Sequence, residues 1–364
     1  MGRNAGKKEL AKKNRAIATS HIEQTMRPSP LAGIFLLLSG IAFSHPLPET
    51  LGDCARIADN SRRLDCFDRL AAAQGKEEAE KENRRMAPIP VPPAAAGVQN
   101  GQWLAQHWEL GPANKRGLFA FRPHQDNYVL LANYSFAPNA APFSPLAGLV
   151  PQDDGLSHTE LKFQLGFKMK LLENLAPTHT DLWLGYTQQS NWQAYNRKAS
   201  SPFRETDYQP ELMAVTPIDF RVLGMHARFV NVGLAHQSNG RASALSRSWN
   251  RIYVQAGLEK GNFILLGRVW KRLPESTGGD DNLDILDFMG YGDVSATYRW
   301  RGQKFSALVR HNFRTDRGAL QLGWAFPLVE HLKGYVQVFS GYGQSLIDYN
   351  YSQKTIGLGV LIDY

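Results

Sequence analysis

The feature that most constrains this chain is an alternation of apolar and polar residues with period two, recurring from about residue 127 to 364. Successive side chains of a β-strand point to opposite faces, so this period marks strands with one apolar face. Phe163, Leu165, Phe167, Met169 and Leu171 alternate with Lys162, Gln164, Lys168 and Lys170. Val294, Ala296, Tyr298 and Trp300 alternate with Asp293, Ser295, Thr297 and Arg299. Ile356, Leu358, Val360, Ile362 and Tyr364 alternate with Thr355, Gly357, Gly359 and Asp363. Twelve such segments can be placed, near 127–136, 160–171, 181–192, 211–220, 227–237, 250–259, 262–271, 291–300, 303–313, 318–326, 332–340 and 354–364. Two are weakly phased: 262–271, and 211–220, which holds Pro217. An even number of antiparallel strands closes as an up-and-down barrel. The expected fold class is therefore all-β, a 12-stranded antiparallel barrel.

The alternation does not say which face meets water. A soluble barrel turns its apolar face inward, whereas an outer-membrane barrel inverts the pattern. In the second case Lys162, Lys168, Lys170, Asp293, Arg299, Lys304 and Arg310 form a polar interior. Three features choose the membrane. Residues 26–44 carry Arg27, an apolar run from Leu31 to Phe43, and the small-x-small pair Ala42 and Ser44, which is the build of a secretory signal peptide. Residues 1–44 are read as this signal, with Met1–Thr25 a basic stretch upstream of a translation start at Met26. Aromatic residues sit at strand ends (Tyr128, Phe136, Trp300, Phe313, Phe326, Tyr364), as an interfacial girdle requires. Connections alternate short and long: 172–180, 221–226, 260–261, 301–302 and 327–331 are short, whereas 137–159, 193–210, 238–249, 272–290 and 341–353 are long, with 314–317 a short exception on the long side. Short periplasmic turns and long outer loops are the outer-membrane arrangement. The terminal Tyr364, in phase with the apolar face, suits a barrel-assembly signal.

Composition removes other classes. Hydrophobic residues at 43% with mean hydropathy −0.36 exclude a polytopic helical membrane protein and a wholly disordered chain. The net charge of +8 is crowded toward the N-terminus, and no Lys/Arg stripe interleaved with aromatics suggests nucleic acid as a partner. Residues 45–119 are expected to be a periplasmic helical extension and linker, and 120–364 the barrel. Within the extension, Cys54 and Cys66 flank two short helices around a turn. In an oxidising compartment they suit a structural disulfide, since two thiols without nearby histidines make a poor zinc set. A charged run at 74–86 and the Pro/Ala-rich stretch 87–100 follow.

The densest polar run is His236-Gln-Ser238-Asn-Gly240-Arg241, continued by Ser246-Arg-Ser-Trp-Asn250-Arg251. Its parity is informative. Val230, Val232 and Leu234 precede His236 and Ser238 on the same even positions, and Ile252, Val254, Ala256 and Leu258 share the parity of Asn250. Three polar groups thus leave the barrel on its lipid-facing side, at a cost unless they satisfy one another. Taken singly, such residues decorate a membrane interface. Together, His, Ser and Asn fit a base, a nucleophile and an orienting group.

These motifs resemble the signature of the outer membrane phospholipase A family. Ser200-Ser-Pro-Phe-Arg-Glu-Thr206-Asp-Tyr-Gln-Pro210 and Ser340-Gly-Tyr-Gly-Gln-Ser-Leu-Ile-Asp-Tyr-Asn350 are also similar to that family, and the resemblance spans about residues 126–364. Gln237 stands where an acidic residue is common, but its parity points inward. The resemblance implies a calcium-dependent hydrolase of phospholipid and lysophospholipid acyl esters, active as a homodimer in the bacterial outer membrane. It implies Ser238 as nucleophile, His236 as base and Asn250 as orienter. The Gly240 N–H and a calcium-bound water would serve the oxyanion. Calcium would be held by the Arg241 carbonyl, the Ser246 hydroxyl, Asp281 and, across the dimer, the carbonyl of the partner's Ser200. Without the resemblance, Asp280 and Asp281 read as a solvated turn. Gln188 continues the outward parity of Leu182, Leu184 and Tyr186, and the resemblance implies a dimer contact there. The competing expectation is a passive, porin-like channel lined by the inward Lys and Arg residues. A third is a structural role, with the extension docking periplasmic partners.

Overall fold

The structure is a computed structural model that describes residues 50–86, 102–151, 155–175, 177–275 and 280–363. The expected signal peptide and Tyr364 lie outside the described residues. The chain divides into two compact units, residues 1–90 and 91–364.

In the first unit, α1 (Leu51–Ala55) precedes α2 (Asn60–Met86). Thr50 caps α1 reciprocally: its hydroxyl accepts from the Asp53 N–H while the Asp53 carboxylate accepts from the Thr50 N–H at 3.1 Å. Cys54 and Cys66 form a disulfide that ties the two helices together, with both side chains buried.

The second unit is a closed antiparallel barrel. Its twelve strands are β1 (Asn127–Ser135), β2 (Thr159–Leu175), β3 (Thr180–Trp192), β4 (Phe203–Val222), β5 (Met225–Ser238), β6 (Ser248–Lys260), β7 (Phe263–Arg272), β8 (Gly292–Trp300), β9 (Gln303–Asn312), β10 (Arg317–Val329), β11 (Leu332–Tyr342) and β12 (Ser352–Ile362). Each strand pairs with the next, and β12 returns to β1, placing Ile356 opposite Tyr134 and Leu361 opposite Tyr128. Closure leaves no open edge whose backbone groups would meet hydrocarbon unpaired.

Two sequence expectations need correction. The connection expected at 193–210 is half strand: β4 begins at Phe203. Its inward positions Glu205, Asp207 and Glu211 are charged and Pro210 stands among them, so no apolar period announces it. Pro217 is accommodated by a register shift between Pro217 and Phe220. Tyr128, assigned to the girdle, is 4% exposed and packs against Tyr335 inside the barrel. The outward aromatic set instead includes Tyr298, Trp300, Phe305 and Trp324 near the short turns, and Tyr134, Phe136, Tyr291 and Phe313 near the long loops.

The inversion of the core is plain. Leu165, Val232, Leu234, Val254 and Leu358 are exposed on the outside, while Lys162, Lys168 and Lys170 are fully buried within. The inward charges pair: Arg268 with Asp293 at 2.6 Å, Arg299 and Lys333 with Asp363 at 2.8 and 2.6 Å, and Arg204 with Glu160 and Asp348 at 2.6 and 2.8 Å. Burying a charge is tolerable only with such partners.

The barrel unit also starts earlier than the expected boundary at 120. The short helix α3 (Trp103–His107) leads into residues 108–126, where Trp108 is buried inside the barrel at the short-turn end and Phe121–Pro123 joins the wall as a short extra strand on β2, Phe121 opposite Met169. The Leu104 N–H donates to the Glu259 carboxylate at 3.0 Å, and Trp108 packs on Trp183 and Phe229 beneath Lys168, whose Nζ stands 3.6 Å from the ring centre. Glu109 closes α3 in the left-handed region, φ 52°, with the Leu110 N–H reaching the Ala105 carbonyl at 2.9 Å. Glycine usually takes this position. Glu109 holds it with its buried carboxylate bound to Arg122, to Arg116 at 2.9 Å and to Lys170 at 3.1 Å.

Candidate active site on the lipid-facing wall

The registers of β4, β5 and β6 set the site. Strand pairing places His236 opposite Asn250, and Ser238 opposite both Ser248 on β6 and Tyr208 on β4. His236, Val232 and Leu234 share the outward face, as Asn231, Gly233 and Ala235 are buried inside. His236 Nδ1 lies 2.9 Å from Asn250 Oδ1. Ser238 stands beside this pair on the same face by parity. Among the described residues Ser238 and His236 are not hydrogen-bonded to each other, and such bonds often tighten only when substrate is present.

The loop after β5 turns sharply. Gly240 has φ +62°, and a Cβ there would stand 3.2 Å from the Tyr208 ring, so a tight turn and a close neighbour both call for glycine. Asn239 organises this loop: its Oδ1 accepts from the Arg247 N–H at 2.9 Å, and its Nδ2 donates to Glu205 and to the Leu245 carbonyl, both at 2.9 Å. Glu205 also accepts from the Ile347 N–H at 3.0 Å and pairs with Arg241 at 3.1 Å. Asp207 takes the Leu346 N–H, and Asp348 binds Arg204 and Asn139. The 343–350 loop is thus folded into the barrel mouth, with Leu346, Ile347 and Tyr349 buried, and it is tied to the site through Glu205.

The residues assigned to calcium are partly assembled. The Ser246 hydroxyl donates to the Asp281 carboxylate at 2.5 Å, and Arg241 belongs to the same loop as Ser246. Asp280 is engaged elsewhere, accepting from Arg272 at 2.5 Å and from the Asn282 N–H at 3.1 Å. Asn282 in turn accepts from the Ser248 N–H at 3.1 Å, which holds the aspartate loop against the start of β6. Ser200 lies in the β3–β4 connection with φ +59° and touches neither Ser246 nor Asp281 within the described residues of this chain. The donors are all oxygen, the set a hard cation such as calcium selects.

Gln188 has hydrogen-bond partners on its own wall. Its Oε1 accepts from the Tyr186 hydroxyl at 3.1 Å, and its Nε2 donates to Ser190 Oγ at 3.2 Å, which lies 3.1 Å from the Thr206 hydroxyl. Strand register aligns Gln188, Tyr208 and Ser238 in one row across β3, β4 and β5. Two strand spacings, roughly 10 Å, separate Gln188 from Ser238. Sequence reasoning gave no role to Tyr208, Glu205 or the Glu275 carboxylate that binds Asn250, because each acts through a neighbour on another strand or loop.

A closed outer-membrane-type barrel that carries a His–Asn pair and a serine on its outward wall has groups of the kind a membrane-embedded hydrolase needs. Comparison with known proteins agrees. The profile of the family described as Phospholipase A1 matches residues 104–362. Phospholipase A1 of Escherichia coli K12 is 35% identical over 274 residues, 74% of this chain and 88% of its own length. A relative from Neisseria meningitidis serogroup B is 37% identical over 363 residues, covering 90% of this chain and 95% of its own length, so its likeness extends ahead of the barrel unit. Among solved structures, outer membrane phospholipase A from Escherichia coli superposes with a TM-score of 0.62 at 35% identity, covering 67% of this chain and 99% of that one. A Salmonella typhi outer membrane phospholipase dimer with bound calcium gives 0.63 at 32% identity, covering 73% and 99%. The chain belongs to the phospholipase A1 family: it is a phospholipid-hydrolysing β-barrel enzyme of the bacterial outer membrane.

Proposed function

We propose that this phospholipase uses Ser238 as nucleophile, His236 as base and Asn250 as orienter, requires calcium, and works as a homodimer. The observation that carries the reading is the 2.9 Å contact between His236 Nδ1 and Asn250 Oδ1, on the outward face that also bears Ser238. With its Nδ1–H bound to Asn250, His236 presents a bare Nε2, the form able to accept the Ser238 proton as Oγ attacks the acyl carbonyl. The same proton then goes to the leaving glycerol oxygen, and water repeats the cycle on the acyl-enzyme. The Gly240 N–H, at the turn directly after the nucleophile, is placed to donate to the oxyanion. A lipid-facing site receives its substrate laterally, from the bilayer itself.

Calcium would be held by Ser246 Oγ, Asp281, the Arg241 carbonyl and the carbonyl of the partner's Ser200. When bound, it supplies positive charge beside the developing oxyanion. The row from Gln188 to Ser238 supports a dimer through the β3–β4 side, since a second barrel seated on Gln188 would wall the site and bring its own Ser200 near the first subunit's Ser246. The named dimeric, calcium-bound Salmonella relative supports the same reading. The test is fatty acid release from phospholipid and lysophospholipid micelles, with and without calcium, for wild type and Ser238→Ala. Loss of release in the variant and without calcium is expected; full activity of Ser238→Ala would overturn the assignment.

A further inference from the structure

Asn250 has a second partner. Its Nδ2 donates to the Glu275 carboxylate at 3.0 Å, while its Oδ1 faces His236. Glu275 follows β7 in a stretch that is also latched to β6 by backbone, the Leu273 N–H reaching the Asn250 carbonyl at 2.8 Å. The carboxylate is half-buried. A line of contacts therefore runs from Glu275 through Asn250 to His236.

We infer that Glu275 is a positioning residue for the esterase reaction, acting through Asn250; the inference rests on the triad reading above. An asparagine amide is an acceptor at one end and a donor at the other, and the two ends differ little in shape. Only one orientation serves catalysis. With Oδ1 toward the imidazole, the Nδ1 position carries the proton and Nε2 is free to act as base. With the amide turned over, its NH₂ favours an unprotonated Nδ1 and puts the proton on Nε2, which then cannot take one from Ser238. A carboxylate accepts and never donates when ionised, so it tolerates only the NH₂ end of Asn250. Glu275 thereby makes the unproductive orientation costly. It also places a negative charge behind a neutral orienter. Polarised through the amide, that charge favours the imidazolium formed during attack, a task that a directly bonded carboxylate performs in the more familiar triad.

The experiment compares wild type, Glu275→Ala, Glu275→Gln, Asn250→Ala and the Asn250→Ala/Glu275→Ala double variant. All are assayed as folded barrels in detergent micelles at saturating calcium. Glu275→Ala is expected to lower kcat about tenfold or more, the kinetic equivalent of one lost charge-assisted hydrogen bond. KM should stay within about twofold, since the inferred action is on the imidazole through Asn250 and not on substrate binding. Glu275→Gln keeps an acceptor but can also donate and carries no charge, so it should restore only part of kcat. In the Asn250→Ala background the Glu275→Ala change should have no further effect, because its route to His236 is already gone. The rate at which a sulfonyl fluoride labels Ser238 should fall in parallel with kcat. Wild-type kinetics in Glu275→Ala, or an equal loss in both backgrounds, would overturn the inference while leaving the triad intact. Full activity, or undiminished labelling, in a Ser238→Ala control would instead remove the triad reading, and this inference with it.

Discussion

His236, Ser238 and Asn250 occupy positions that apolar residues hold elsewhere on β5 and β6, so none fills the barrel core. Replacing them should therefore change chemistry without changing fold. Ser238→Ala and His236→Ala should abolish lipolysis while the far-ultraviolet circular dichroism of the barrel stays that of wild type. Asn250→Ala should retain part of the activity, since the imidazole keeps its reactivity and loses only its orientation. If Asn250→Ala proved as inactive as Ser238→Ala, orientation would be too weak a description of its role. The calcium assignment separates two serines by atom. Ser246 would act through its hydroxyl, which bonds Asp281, so Ser246→Ala should raise the calcium concentration needed for half activity. Ser200 would contribute a backbone carbonyl, so Ser200→Ala should be mild. Equal sensitivity of the two variants in a calcium titration would contradict this division.

At the scale of elements, the segment that opens the barrel unit, from α3 to Phe121–Pro123, offers single-residue tests. Trp108 is 3% exposed and contacts Trp183, Phe229 and His124, so Trp108→Ala should cost about 3–5 kcal/mol of barrel stability, read from urea unfolding in micelles. Glu109 adds a pH dependence. Burial alone would raise its carboxyl value, but hydrogen bonds from Arg122 and Lys170, with the Arg116 N–H, overcome this and hold it below the ordinary 4.5. A depressed folded value stabilises above the unfolded one and is lost as pH falls through the folded one. Proteolytic access to residues 102–126 should therefore rise below about pH 4.5 in wild type, and much less so in a Glu109→Gln variant, which should be weaker at neutral pH. The same elements explain where the pattern was legible. Eleven of the twelve strands lie within a few residues of their period-two segments. β4 was half hidden, because its outer end spends its inward positions on Glu205 and Asp207, which bind loop backbone rather than other strand side chains.

For the whole molecule, the proposed dimer is the property that links membrane state to activity. A calcium site completed by the partner's Ser200 leaves the monomer with an incomplete site, so dispersed monomers in an intact bilayer would be idle. The isologous geometry expected of such a pair brings the two copies of Gln188 together across the two-fold axis. A Gln188→Cys variant in detergent with calcium and a substrate analogue should therefore oxidise efficiently to a linked dimer. If the thiol stays unlinked while the protein is active and dimeric by sedimentation, the interface lies on another side of the barrel. A chelator should return the unlinked wild type to monomers without unfolding it, because the closed strand ladder does not depend on metal.

Alternation and motif are local properties, and the amino-acid order by itself determined what depends on them: the twelve-stranded, inverted barrel and the common outward parity of His236, Ser238 and Asn250. Parity follows from backbone geometry alone and needs no knowledge of the partner strand. The tertiary structure decided everything that joins residues remote in sequence. The Leu104–Glu259 bond spans 155 positions and the Leu346–Asp207 bond 139, and no period foreshadows either. The same holds for Tyr128 turning inward to Tyr335. Each of these needs the barrel to close first, because closure fixes the curvature and stagger that bring one strand's end beside another's loop.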